Sequence, residues 1–353
     1  MATRFRGTER NFSMASTRIG LMGFGRIGRN VMRLLHDRSD LDVVAISDIA
    51  DPEALTYLLK YDSLYGRFPL PVSYADGQFT YGDRKAAFLN AREPGDAPWG
   101  ELGVDVVLET TSRYRSKESL DKHLAAGAKK VILTSSPETP GEIPLLLRGI
   151  NDEVLGPDVD QVALGSNTSN AAAPILRTIN EEFGIARVFM TVVKAMSNAG
   201  RLADVPTDSF RTSRAAGENI IPAETNSAGI ITQVLPELEG KLSVVALNVP
   251  VVDGSTIDMV VDTERPTDKE TVNAVVQKAC ETRYPGIIEY VADPIVSSDV
   301  RMTSHSGVYD SLAAMVTGGD LVKTITWFNN GWAYSHRVVE VTSSVAAHLN
   351  GGS

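Results

Sequence analysis

The sequence predicts an α/β fold, with a doubly wound parallel sheet in its first half and an α+β region with a mixed or antiparallel sheet in its second. Three observations carry this. Short apolar runs alternate with helical spacing up to about residue 165, and a glycine-rich turn joins the first run to the first helix. Beyond Asn170 the runs lengthen and alternate apolar with polar residues.

The elements follow in order. An apolar strand over residues 18–22 leads into the turn Gly23-Phe24-Gly25-Arg26-Ile27-Gly28, and residues 30–37 then carry helical spacing. A second apolar run, 41–46, ends at Ser47-Asp48, which completes the start of a βαβ unit. Buried strands are expected at 104–108, 130–134 and 161–164, with a helix at 117–126 between the first two. A helix at 172–183 and alternating strands at 186–195, 242–249 and 256–263 follow. The second domain is therefore expected to begin near Ser166, and no internal repeat interrupts either half.

Composition narrows the function classes. A chain of 353 residues, 43% hydrophobic and 22% charged, has the length for two domains and a large core. The net charge of −10, with its basic residues scattered, argues against a nucleic-acid footprint. No apolar run reaches about 18 residues, so neither a spanning helix nor a membrane partner is expected, and the cytoplasm is the expected compartment. The single cysteine, Cys280, lies in a helical-looking segment at 271–282 and reads as a small buried residue rather than a catalytic thiol. The five histidines are dispersed without metal spacing, so no zinc or iron site is expected. Residues 1–16 are polar and aperiodic and read as a disordered extension; Met14 is an alternative start, and a transit peptide is the other reading.

A bare G-x-G-x-x-G is as often a structural turn as a ligand site. Here it follows a strand, opens a helix, and has Asp48 some twenty residues downstream of Gly28, the distance at which a carboxylate meets adenosine ribose hydroxyls. Glycines let backbone N–H groups approach a pyrophosphate at the helix N-terminus. The negative charge of Asp48 repels a 2′-phosphate, so NAD is expected rather than NADP.

Several blocks resemble the phosphorylating glyceraldehyde-3-phosphate dehydrogenase family, in the family's order. They are the opening Gly23–Arg29 motif, Tyr57-Leu58-Leu59-Lys60-Tyr61-Asp62-Ser63, Pro98-Trp99-Gly100, Gly149-Ile150-Asn151, Asn219-Ile220-Ile221-Pro222, Leu235-Pro236-Glu237-Leu238 and Trp327-Phe328-Asn329-Asn330. The resemblance implies a Rossmann domain over 17–165, a catalytic domain over 166–330, and a C-terminal helix in 331–353 that returns to the first domain. It implies a homotetramer in which a loop at about 201–220 reaches a neighbour's cofactor. For NAD it implies contacts from Phe24, Gly25, Arg26, Ile27, Asp48, Ile49, Thr111, Ser135, Asn330 and Tyr334, the last two as the pair that positions the nicotinamide. The apolar Ile49 and Pro206 also point to NAD.

Within that resemblance the chain departs from the family at the reacting centre. Asn167, in Ser166-Asn167-Thr168-Ser169-Asn170, stands where the family has its catalytic cysteine, and Lys194 stands in place of the activating histidine. An amide nitrogen is not nucleophilic, whereas the family's chemistry needs a thiolate that is also a leaving group. Ser197 and Ala199 replace the threonine and aspartate of the substrate-phosphate site, and Asn248 replaces its arginine. Ser166, Thr168, Thr225 and Asn226 keep hydroxyls and an amide around a second anion site, while Arg113 and Tyr114 are additions beside the cofactor. Arg113 is either a new anion contact or a solvated loop residue.

Two functions follow. One is a repurposed NAD-dependent oxidoreductase that passes hydride directly to or from a small carbonyl or alcohol substrate, neutral or anionic, with Lys194 as proton donor or polariser and Asn167 as oxyanion donor. A Schiff base at Lys194 is a further variant. The other is a catalytically silent NAD-binding paralogue serving as scaffold, sensor or partner subunit, with Lys194 paired to a nearby acid. Alternatively, residues 166–170 simply cap the helix that follows.

Overall fold

In a computed structural model, which describes residues 16–197 and 200–351, the chain forms two large sheets. The first half contains β1 Thr17–Met22, α1 Arg26–Leu35, β2 Leu41–Ser47, α2 Pro52–Lys60, β3 Tyr61–Asp62, β4 Gly66–Arg67, β5 Val72–Ala75, β6 Gln78–Tyr81, β7 Arg84–Leu89, β8 Val106–Glu109, α3 Lys117–Ala125, β9 Lys130–Leu133 and β10 Gln161–Ala163. The second contains α4 Asn167–Phe183, β11 Ile185–Lys194, β12 Ile221–Ala223, α5 Ser227–Val234, β13 Leu242–Asn248, β14 Ser255–Thr263, α6 Lys269–Thr282, β15 Ile288–Val291, β16 Gly307–Thr317, β17 Leu321–Phe328 and α7 Trp332–Leu349.

The first sheet has the order β10-β9-β8-β1-β2-β7-β6-β5 and is parallel from β10 to β7. Both of its faces are covered, as its continuous apolar strands require. Ile19 and Leu21 of β1 join Val31 and Leu35 of α1 and Val338 and Val341 of α7 in one core, while Met22 packs with Trp99 and Val107 in another. The expected parallel sheet carries an antiparallel edge, β6 and β5, that short mixed-polarity strands did not disclose.

The second sheet is mixed, in the order β12-β13-β11-β14-β17-β16-β15. Alternation is clearest in two strands: in β14 every second residue is buried, and in β11 Val188, Met190 and Val192 are buried beneath α4 to α6 while Phe189 points away. One face is thus helix-covered, and the other exposes Phe189 at 65% and Val245 at 46%.

Two helix starts differ from the sequence expectation. Helix α1 begins at Arg26 rather than at residue 30, because the reversal is completed at Gly23 (φ 97°) and Gly25 is the residue before the first turn. Helix α4 begins at Asn167 rather than at residue 172. There the Ser166 side chain accepts the Ser169 N–H, and the Ser169 hydroxyl in turn accepts the Ser166 N–H, a reciprocal cap that compensates the poor helix propensity of the polar turn. The expected disordered leader falls almost wholly outside the described residues.

Candidate active site

The strand ends of the first sheet open into a cleft of about 690 Å³ lined by Gly25, Arg26, Ile27, Asp48, Ile49, Thr111 and Arg113, among others. Its geometry is set by three glycines. Gly23 donates its N–H to the Ser47 carbonyl (2.7 Å) and holds a positive φ; a β-carbon on Gly28 would lie 2.5 Å from the Gly23 carbonyl oxygen. A β-carbon on Gly25 would meet nothing within 4 Å, so this position faces open space at the helix start. Asp48 accepts the Phe24 N–H at Oδ2 (2.7 Å) and the Ala50 N–H at Oδ1 (2.9 Å). The carboxylate is therefore fixed at the tip of β2, with lone pairs left over for a diol. Phe24, expected at the cofactor, does not line the cleft: its ring is fully buried in the core, its N–H is donated to Asp48 and its carbonyl accepts from Arg29. An acid-free first turn in α1, an open glycine and a fixed carboxylate together fit a dinucleotide.

Beneath the cleft lies a buried polar network that sequence reasoning missed. The Trp99 indole donates to His123 (2.9 Å), His123 meets Glu109 (3.2 Å), and Glu109 accepts the Thr111 N–H (2.8 Å). It anchors the turn carrying Thr111. Its members come from β8, α3 and the segment before β8, and only the tertiary fold brings them together.

A second cavity of about 340 Å³ shares Ile27, Ser112 and Asn330 with the cleft. Arg115, Ser135, Ser136, Ser166, Asn167, Asn226 and Tyr334 also line it. Asn167, in the first turn of α4, donates its amide to the Asn330 carbonyl (2.8 Å), leaving its second N–H uncommitted. The Asn330 side chain donates to the Ala195 carbonyl (3.3 Å) and accepts the Ser255 hydroxyl. Tyr334 donates to the Gly165 carbonyl (3.0 Å), and burial pushes its phenol well up, so it stays protonated.

Lys194 closes β11 in register with Asn248 of β13, and strand alternation places both on the helix-covered face, the face from which α4 begins. Neither lines the second cavity, although the next residue, Ala195, is bonded to Asn330. Burial lowers the Lys194 pKa, and no acid contributes to the shift. The pairing of Lys194 with a nearby carboxylate, one of the sequence alternatives, is therefore not found among the described residues.

The expected anion-site residues do not converge on one point. Ser166 and Asn226 line the second cavity, whereas Thr168 is buried, Thr225 bonds to the Ser227 hydroxyl (2.7 Å), and Ser197 is exposed beyond β11. Asn198 and Ala199 lie outside the described residues. Arg113 lines the cofactor cleft instead, its guanidinium 5.4 Å from the Tyr114 ring centre. Ser112 adopts φ 59°, so the chain reverses there and Arg113 and Arg115 end in different cavities. Ser135 and Tyr334, expected at the cofactor, line the second cavity, and Asn330 lines both. Arg115 and Ser136 were missed; the only sequence signal was a basic residue just before the helix-capping Ser116.

Cys280 is buried on α6, in the core of the second half, and burial pushes its thiol up to about 12. Among the described residues no cluster of His, Cys, Asp and Glu could hold a metal, and no helix is long and apolar enough to cross a membrane.

Comparison with known proteins agrees with this arrangement. The chain is 40% identical over 334 residues to glyceraldehyde-3-phosphate dehydrogenase 2 of Streptomyces avermitilis, covering 94% of this chain and 99% of the relative. It is 39% identical over 333 residues to the glyceraldehyde-3-phosphate dehydrogenase of Geobacillus stearothermophilus, with the same coverage. Residues 17–117 match the NAD binding domain and residues 166–330 the C-terminal domain of glyceraldehyde 3-phosphate dehydrogenase. With a doubly wound sheet whose cleft fits a dinucleotide, and with full-length similarity on both sides of Ser166, the chain belongs to the glyceraldehyde-3-phosphate dehydrogenase family and has NAD as its cofactor.

Proposed function

We propose that this chain is a diverged member of its family, an NAD-dependent oxidoreductase that transfers hydride directly to or from a small carbonyl or alcohol substrate without a covalent enzyme intermediate. The observation that carries this reading is the juxtaposition of the NAD cleft with a second cavity in which Asn167 occupies the first turn of α4, while the only cysteine is buried in α6. Ordinary phosphorylating activity needs a thiolate, and an amide supplies none.

When bound, the cofactor would accept the hydride as NAD or supply it as NADH. In the oxidative direction, the hydroxyl proton of an alcohol passes to the neutral amine of Lys194 as its carbonyl forms; in the reductive direction the ammonium returns that proton. Desolvation of Lys194 favours the neutral amine, which this role requires. The free N–H of Asn167 donates to the developing oxyanion, and its other N–H stays on Asn330. Asn330, held through Ala195, Ser255 and Asp253, positions the nicotinamide together with Tyr334. Asp48 selects NAD over NADP by charge.

The same reading takes residues 17–165 as the cofactor domain, 166–330 as the catalytic domain and α7 as the return to the first, in a cytoplasmic homotetramer. The uncovered face of the second sheet, with Phe189 and Val245, supports self-association, because exposed apolar faces of this kind mark interfaces. The second reading, a silent NAD-binding paralogue, draws support from Lys194 lying outside the cavity lining.

Calorimetric titration with NAD, NADH and NADP, followed by a carbonyl and alcohol screen, separates the two. Direct transfer expects NAD binding and turnover that Lys194→Ala reduces at least 100-fold. NAD binding with no turnover of any carbonyl or alcohol favours the silent paralogue.

A further inference from the structure

We infer that Arg115 and Ser135 form a binding site for an anionic group of the substrate, so that the carbonyl or alcohol acted on carries a carboxylate or a phosphate. This rests on the reading above, in which NAD fills the cleft, its nicotinamide reaches Asn330 and Tyr334, and the substrate enters the adjoining cavity beside it.

In a chain of net charge −10, the second cavity is lined by one cation, Arg115, and by no carboxylate. The Arg115 backbone is fixed, its carbonyl accepting the Glu138 N–H at 3.0 Å. Its guanidinium has no ion pair or hydrogen bond among the described residues, although acidic residues abound elsewhere on the surface. The Ser135 hydroxyl is buried and without a hydrogen-bond partner, on the same lining. Buried hydroxyls are almost always satisfied, so an orphan in the same cavity lining as an unpaired guanidinium marks the place of a missing acceptor. An oxyanion accepts from both, and a guanidinium presents two parallel N–H donors to it.

The site differs from the one implied by family resemblance. That set, Ser166, Thr168, Ser197, Thr225, Asn226 and Asn248, contains no cation, and only two of its members reach the cavity. The countercharge comes instead from Arg115, in the lining contributed by the segments around 112–115 and 134–136. Both segments belong to the first half of the chain and Asn167 to the second, so the substrate's anion and its reacting carbon are held by residues from the two halves.

The test is calorimetric titration of the full chain, saturated with NAD, with inorganic phosphate and separately with acetate. The unmodified chain is compared with Arg115→Gln, Arg115→Lys and Ser135→Ala. We expect at least one anion to bind, weakened tenfold or more by Arg115→Gln and severalfold by Ser135→Ala, and partly restored by Arg115→Lys, with NAD affinity unchanged in the two Arg115 variants. The preferred probe tells phosphate from carboxylate. NAD binding accompanied by anion binding that ignores Arg115, or by no anion binding at all, overturns this inference alone; failure of the unmodified chain to bind NAD overturns the reading beneath it.

Discussion

Alanine at Gly25 and at Gly28 should fail for different physical reasons, and the contrast tests where NAD lies. At Gly28 a β-carbon would sit 2.5 Å from the Gly23 carbonyl oxygen and 3.3 Å from the Thr110 hydroxyl. The first neighbour is backbone in a turn held at φ 97°, and the second donates to that same carbonyl at 2.7 Å. The contact must open by about an ångström, and overpacking of this kind costs roughly 1–3 kcal/mol. A melting temperature lower by several degrees is expected for Gly28→Ala without any ligand. At Gly25, φ is −69° and a β-carbon meets nothing within 4 Å, so the fold loses only the difference between glycine and alanine ahead of a helix, less than about 1 kcal/mol. On the proposed placement of NAD, the same methyl projects where the pyrophosphate approaches. Gly25→Ala should therefore melt close to the unmodified protein while NAD affinity falls about tenfold or more, a factor that corresponds to 1.4 kcal/mol. Paired thermal melts and calorimetry read both effects. Unchanged NAD affinity in a folded Gly25→Ala protein would falsify the placement of the pyrophosphate over this turn.

The remaining expectations concern charge and the reacting centre. Burial depresses the Lys194 pKa, so protonation favours the unfolded chain. This penalty is complete below the folded-state pKa and fades as pH rises towards the ordinary lysine range. Lys194→Met should accordingly raise the melting temperature at neutral pH, with a smaller gain at higher pH; a loss of stability at neutral pH counts against a desolvated ammonium. Burial also takes His336 from 6.5 down to about 4, so its charging opposes folding and stability should fall as pH drops between those values. A His336→Gln chain should show a flatter acid limb in denaturant titrations over that window. Asn167→Ala removes the 2.8 Å bond to Asn330 and should cost about 1 kcal/mol, read as a melting temperature lower by a few degrees. Cys280 should resist iodoacetamide in the folded protein, and Cys280→Ala should leave any turnover intact; inactivation by the reagent that this variant abolishes would refute a cysteine-independent reaction.

Much of the fold was legible because the signals were local. The glycine turn, the apolar runs of β1, β2 and β9, and the alternation of β14 each lie within one stretch of chain, and the structure reproduces them to within a residue or two. Where the expectation failed, longer-range contacts decided. The start of α4 was misplaced because Ser166 and Ser169 look like loop residues until each satisfies the other's N–H. The edge strands β5 and β6 take their register from β7 rather than from any apolar pattern of their own. At the site, Asp48 was readable from spacing, since the second strand always ends there in such a unit. Arg113 and Arg115 were not distinguishable, because their destinations depend on the positive φ at Ser112, a conformation that sequence does not announce for a serine.

The proposed divergence is best understood through Asn330. Its carbonyl receives Asn167, its amide reaches Ala195 beside Lys194, and its side-chain oxygen receives Ser255 at the start of β14. It also lines both cavities. An asparagine at 167 is therefore tied into a frame that spans the start of α4, the end of β11 and the approach to α7. Such a residue is ordered by bonds that a cysteine's weak S–H donor would not replace. A merely abandoned pocket has no need for these bonds, since a small apolar residue would fill it as well. Retention of polar, mutually bonded groups beside an unpaired guanidinium is the pattern of a cavity that still receives a polar ligand.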